Sequence, residues 1–175
     1  PVDPKILEKM LPFFSINFAN PHSNNHQDGR LANEVIEEAR ENVANLINAQ
    51  SSEITFTSGA TESNNLALKS IAKNYFENKC QIISCKTEHK CVLESCHEIE
   101  KEGFKVTYLD VDEEGLRNID ELENILKKEK SLVSIMMVNN ETGVIQDVKK
   151  IGELRKKYNS IFHSDIAQSI GTQKI

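Results

Sequence analysis

The sequence predicts an α/β domain with three layers, helices covering both faces of a mostly parallel sheet. Three observations predict it. Short apolar runs of strand length alternate with segments whose apolar residues recur at helical spacing. One run, "LVSIMMV" at 132–138, is apolar throughout, as a strand covered on both faces must be. Polar residues gather directly after the strand-like runs, where sheets of this class bind their ligands.

Taken in order, residues 3–11 read as a short helix. A polar, turn-rich loop, "NPHSNNHQDG", follows at 20–29. Ala32, Val35, Ile36, Ala39, Val43, Leu46 and Ile47 then trace one face of a long amphipathic helix. "ITFT" at 54–57 is compact and β-branched, so it predicts a strand. Leu68, Ile71, Ala72, Tyr75 and Phe76 predict the next helix, and "QIIS" at 81–84 the next strand. A helix over 88–101 leads to "FKVTYL" at 104–109, whose alternation suits a half-exposed or edge strand. Ile119, Leu122, Ile125 and Leu126 mark a helix before the buried run at 132–138. Val148, Ile151 and Leu154 mark the helix after it, and "SIFH" at 160–163 closes the series. There is no internal repeat and no low-complexity tract.

Length and composition suit one domain with a real core: 175 residues, 38% hydrophobic and 27% charged. The 21 basic and 27 acidic residues give a net charge of −6, with no basic stripe to engage nucleic acid. No apolar run reaches the roughly 18 residues of a membrane span. The first residues lack an initiator Met and show neither a signal-peptide core nor an Arg-rich transit pattern, so a processed or partial chain is expected. Cys80, Cys85, Cys91 and Cys96 form no CxxC pair and read as reduced, partly buried thiols. A zinc site from Cys91, His89 and His97 has no supporting spacing.

Four strand ends carry the chemistry. "SGATESNN" at 58–65 offers a glycine turn, a hydroxyl at Thr61 and a helix N-terminus, a set that suits phosphate and equally suits an ordinary capped turn. It is neither GxGxxG nor a P-loop. His89 falls near a helix start, where an imidazole can stack on a flat ring or move a proton, or simply pack. Asn139, Asn140 and Glu141 follow the most buried strand and either face a cavity or build a turn with Gly143. Asp165 follows the last strand, and if the chain turns helical there, Gln168 lies one turn along on the same side. A helix cap is the competing role for Asp165. His163 and Asp165 as metal ligands lack an evident third partner. Together the four ends assemble a phosphate cradle, a stacking ring, amides and an acid, the set that pyridoxal phosphate needs.

The stretches "FTSGATESNNLAL", "TEHKCVLESC", "VNNETGV" and "HSDIAQSIG" resemble the cysteine desulfurases of the NifS/IscS type. These belong to the class V aminotransferase group of fold-type I pyridoxal-phosphate enzymes. The resemblance covers nearly the whole chain and is closest to the mitochondrial and alpha-proteobacterial branch. It implies the large domain of such an enzyme. Ala60 and Thr61 would hold the cofactor phosphate, and His89 would stack on the ring and assist proton transfer. Asn140 and Gln168 would reach the phenolic oxygen, and Asp165 would pair with the ring nitrogen. The implied reaction turns L-cysteine into L-alanine, with sulfur passed through an enzyme persulfide to an iron–sulfur scaffold protein, and often onward to tRNA thiolation. A homodimer without membrane or direct nucleic-acid contact, in a mitochondrial-type matrix or a bacterial cytoplasm, is implied as well.

Departures from the family pattern are mild: Thr142 for a branched aliphatic, Ser164 and Ile166 for Thr and Ala. The lysine that links to the cofactor, the persulfide cysteine and the arginine for the substrate carboxylate are expected in segments this chain does not contain. The expectation is therefore a partial chain, inactive alone, whose residues 1–15 pack with a smaller domain formed elsewhere in the protein. A selenocysteine lyase, another class V enzyme and a non-catalytic remnant are the competing readings.

Overall fold

A computed structural model describes residues 1–75 and 81–173, leaving Phe76 and Cys80 outside the described residues. The chain divides into two compact units, Pro1–Phe56 and Thr57–Ile175.

The first unit is helical. Helix α1 (Pro4–Met10) starts at Asp3, whose carboxylate accepts the Lys5 N–H at 2.8 Å, with Pro4 fixing the first turn. A single turn, α2 (Pro12–Ser15), follows. The long helix α3 (Gln27–Leu46) begins earlier than its apolar stripe suggests, because His26 caps it: Nδ1 accepts from the Gly29 N–H at 3.1 Å. The loop expected to run to residue 29 therefore ends at His26. Phe13, Phe14, Ile16 and Phe18 are exposed, as are Leu31 and Val35 on α3.

"ITFT" is not a paired strand. Its backbone is extended, as β-branched residues favour, but no described strand lies beside it. Arg40 holds the segment instead, donating to the Ile54 carbonyl at 2.7 Å and lying 4.8 Å over the Phe56 ring.

The second unit is the three-layer α/β/α arrangement the pattern predicts. Its elements run α4 (Ala60–Asn74), β1 (Gln81–Cys85), α5 (Lys90–Lys101), β2 (Lys105–Leu109), α6 (Ile119–Leu126), β3 (Ser131–Ser134), α7 (Val148–Lys157) and β4 (Ile161–His163). The four strands are all parallel in the order β2-β1-β3-β4. Strand alternation sorts the core. Ile82 and Leu132 pack with Leu68 and Ala72 of α4 and with Val92, Cys96 and Ile99 of α5. Their neighbours Ile83 and Val133 face the other way, against Leu122 and Leu126 of α6 and Ile151 and Leu154 of α7.

Among the described strands β2 lies at an edge, as its alternating sequence predicts. The apolar run at 132–138 is buried through Met137 but pairs as a regular strand only over Ser131–Ser134. β4 is half-buried, because among the described strands it too lies at an edge. From β1 the chain moves outward to β2, then returns to place β3 on the opposite side of β1. That reversal opens a crevice at the carboxyl ends of β1 and β3, the position where open α/β sheets bind ligands.

Candidate active site

Each side of the crevice is fixed by local bonding. After β1 the chain turns at residues 86–89, and His89 caps α5, its Nδ1 accepting the Cys91 N–H at 3.2 Å. After β3 the backbone runs on beside β4: the Ile135 N–H reaches the His163 carbonyl at 3.1 Å, and the Met137 N–H reaches the Asp165 carbonyl at 3.2 Å. Asp165 is thereby held opposite Met137, two residues past the last strand.

Two side-chain bridges lock the β1 exit to the β3 exit. Glu88 Oε1 accepts the Met136 N–H at 2.8 Å. Asn139 Nδ2 donates to the Thr87 carbonyl at 2.8 Å, while its Oδ1 accepts from the N–H groups of Glu141 at 2.9 Å and Thr142 at 2.8 Å. Of the two adjacent asparagines, then, Asn139 is the buried anchor and Asn140 is left to face solvent space. Gly143, at φ 74°, closes the turn in a conformation few other residues adopt.

These constraints bring Ala60, His89, Asn140, Asp165 and Gln168 to one cavity of about 150 Å³, completed by Met136, Val138 and Ala167. Five of the six residues singled out from the sequence line it. Thr61 is exposed on the first turn of α4 and is not among the lining residues. A neighbouring cavity of about 430 Å³ shares His89 and Asn140 and adds Lys86, Glu88, Lys90 and Glu141.

At the cavity's α4 side, no side chain among the described residues caps the helix, so the first-turn N–H groups retain the donor capacity that helix geometry leaves them. Gly59 is extended there, and a Cβ at that position would meet open space. Glu62 accepts from the Ser58 N–H at 2.7 Å and the Ser58 hydroxyl at 2.6 Å, which holds its carboxyl below the ordinary value.

Asp165 does not begin a helix; the chain turns irregularly after it. Its Oδ1 accepts the Ala167 N–H at 3.0 Å in an Asx turn, so the capping role is filled by a turn. Its Oδ2 accepts from Asn64 Nδ2 at 2.8 Å. Asn64 also donates to Cys91 Sγ at 3.1 Å, and Cys91 Sγ lies 3.0 Å from His89 Nδ1. Asn64 was not legible as a site residue, yet a signal existed. It sits four residues before Leu68 and eight before Ala72, a polar residue on a buried stripe.

Burial pushes the Glu88 carboxyl up to about 7. The Met136 N–H and the Arg117 charge pull it back in part, and Asp165 adds to the rise. Arg117 is itself buried and held below its ordinary value by desolvation; its Nε donates to Gln146 Oε1 at 3.3 Å. His163 is likewise lowered by burial, against the opposing charge of Asp165, and its Nδ1 lies 2.9 Å from Ser134 Oγ. Cys85, Cys91 and Cys96 are free and buried, and His97 packs on the Tyr108 ring. Among the described residues no three His, Cys, Asp or Glu side chains group as metal ligands.

Comparison with known families matches residues 1–175 to the aminotransferase class-V family. The chain belongs to the aminotransferase class-V family. Within it, the chain is 50% identical over 171 residues to the probable mitochondrial cysteine desulfurase of Dictyostelium discoideum, covering 98% of this chain and 38% of that protein. It is also 50% identical to the cysteine desulfurase IscS of Rickettsia africae, covering 42% of that protein. The chain thus spans about two-fifths of the length of the curated relatives it matches. Among solved structures, a NifS-like protein superposes with a TM-score of 0.93 at 41% identity, over 99% of this chain and 48% of that one. A second, described as SspA in complex with cysteine, also gives 0.93 at 41% identity, over 100% and 50% of the two chains. Class V aminotransferases and the desulfurases among them generally depend on pyridoxal phosphate. Among the described residues no helix is long and apolar enough to cross a membrane.

Proposed function

We propose that this chain supplies the cofactor half of a cysteine desulfurase: a pyridoxal-phosphate site that serves the conversion of L-cysteine to L-alanine with release of sulfur to an acceptor. The observation that carries the proposal is the single cavity lined by Ala60, His89, Asn140, Asp165 and Gln168. Because the relatives are more than twice as long as this chain, the activity is proposed for a protein of their length that contains it.

The donor set fits the cofactor. An uncapped helix start beside Ala60 suits a phosphate. His89 presents a flat aromatic ring, and Asn140 and Gln168 bring amide donors for an oxyanion. Asp165, fixed at both oxygens yet lining the cavity, suits a cationic ring nitrogen. When bound, pyridoxal phosphate supplies an electron sink that stabilises carbanion character beside its ring.

The chain's own residues would then divide the work. Asp165 keeps the ring nitrogen protonated by charge. His89 covers the ring and offers its Nε2–H, on the ring nitrogen not engaged by the α5 cap, as a hydrogen-bond donor that assists proton transfer. Asn140 and Gln168 hold the cofactor's oxygen side, and the α4 terminus with Ala60 anchors its phosphate. The sulfur acceptor would be an iron–sulfur scaffold protein, and the assembly a homodimer. Residues 1–15 would pack against a smaller domain formed by the rest of the protein.

The test is direct. The full-length protein, loaded with pyridoxal phosphate and given L-cysteine and a reducing thiol, should form equal amounts of L-alanine and sulfide. Asp165→Ala should abolish turnover while leaving the fold intact. Absence of alanine from the loaded protein would overturn the proposal, and a preference for L-selenocysteine over L-cysteine would reassign the substrate.

A further inference from the structure

We infer that Asn64 and Cys91 are positioning residues that couple Asp165 to His89, so that the acid and the imidazole of one cavity are set by a single hydrogen-bonded chain. The inference rests on the cofactor reading above and adds to it two residues that touch neither the cavity nor its contents.

Asn64 lies on the buried stripe of α4 and is 4% exposed. Its amide nitrogen is 2.8 Å from Asp165 Oδ2 and 3.1 Å from Cys91 Sγ. A primary amide carries two hydrogens, so both bonds exist together. The amide orientation follows, since a carboxylate can only accept and the nitrogen must face it. Asp165 is then held at Oδ2 by Asn64 and at Oδ1 by the Ala167 N–H, which removes its freedom to rotate.

Cys91 carries the coupling onward. Its Sγ is 3.0 Å from His89 Nδ1, the same nitrogen that receives the Cys91 backbone N–H at 3.2 Å. A backbone N–H can only donate, so Nδ1 is an acceptor and the proton of the neutral ring sits on Nε2. The thiol accepts from Asn64, and its S–H shares the one Nδ1 lone pair with the Cys91 backbone N–H in a bifurcated bond. Residues 64, 91 and 165 come from α4, α5 and the turn after β4, so one amide at the start of α4 registers three separate elements. Loosening it frees the carboxylate and the imidazole together.

Two readouts other than turnover test this in the full-length protein loaded with pyridoxal phosphate: the pH midpoint of the bound cofactor's visible absorption, and the rate at which the cofactor leaves. Asn64→Leu keeps the branched skeleton of the side chain but removes both donors. Losing a hydrogen bond to a charged group should speed cofactor release about tenfold and move the absorption midpoint. Cys91→Ala should speed release about threefold, the scale of one neutral hydrogen bond, and Cys91→Ser should restore it. The serine rescue separates positioning from simple packing, and it decides alone if Asn64→Leu does not fold. An unmoved midpoint and unchanged release in folded Asn64→Leu and Cys91→Ala would overturn the inference and leave the cofactor reading standing. Failure of the unsubstituted protein to bind pyridoxal phosphate would overturn both.

Discussion

Replacing Glu88 with Gln should make the protein clearly more stable at pH 8 and change its stability far less at pH 5. Glu88 is 5% exposed, and its carboxyl is raised from 4.5 to about 7, chiefly by desolvation. The folded chain therefore binds a proton that the unfolded chain releases between those values. The stability this confers is complete below pH 4.5 and is lost as pH rises through about 7. A displacement of that size corresponds to about 3 kcal/mol.

Gln keeps the acceptor for the Met136 N–H, and its amide replaces an oxygen, Oε2, that has no partner among the described residues. The exchange is therefore close to even while the carboxyl is protonated. Above pH 7 the variant escapes the cost of a buried anion and should lead by about 2–3 kcal/mol. Denaturant unfolding followed by circular dichroism at pH 5 and pH 8 measures the difference. A protonated-carboxyl infrared band that titrates near pH 7 and vanishes in the variant identifies the group. Equal stability at both pH values, or a parent protein that gains stability from pH 5 to 8 relative to the variant, would refute the reasoning.

Two further outcomes follow from the packing. Asn139→Ala removes the acceptor for two backbone N–H groups and the donor to Thr87, so it should cost about 2–3 kcal/mol and raise KM through displacement of Asn140; unfolding curves and substrate titration check both. Gly29→Ala would place a methyl 2.1 Å from the Ser23 carbonyl oxygen, backbone that cannot swing aside, and should destabilise the first unit by about 3 kcal/mol, visible as earlier proteolysis within residues 20–30.

Much of the second unit was legible because period and burial agree there. Ile82 and Ile83 alternate across a sheet covered on both faces, and the apolar run at 132–138 could only be an interior segment. "ITFT" misled because β-branching dictates an extended backbone but not a neighbour to pair with, and pairing is what makes a strand. The site residues were readable as types at strand ends, whereas their constraints were not. Nothing in "NNETG" separates the anchoring Asn139 from the cavity-lining Asn140; that division comes from the bond to Thr87 across the crevice. Asp165 was ambiguous between cap and ligand partner because both uses need the same side chain after the same strand. The structure resolves the local half of that ambiguity, with one oxygen in an Asx turn and the other on Asn64. Asn64 itself escaped notice because a polar residue on an apolar stripe gains meaning only when its partner, 101 residues away, is known.

The most direct test is the electron density of the full-length protein crystallised with pyridoxal phosphate. The account predicts the pyridine ring against His89, its nitrogen on Asp165 Oδ2 or Oδ1, its oxygen side toward Asn140 and Gln168, and its phosphate at the start of α4. Cofactor density elsewhere, or a ring whose nitrogen points away from Asp165, would contradict it.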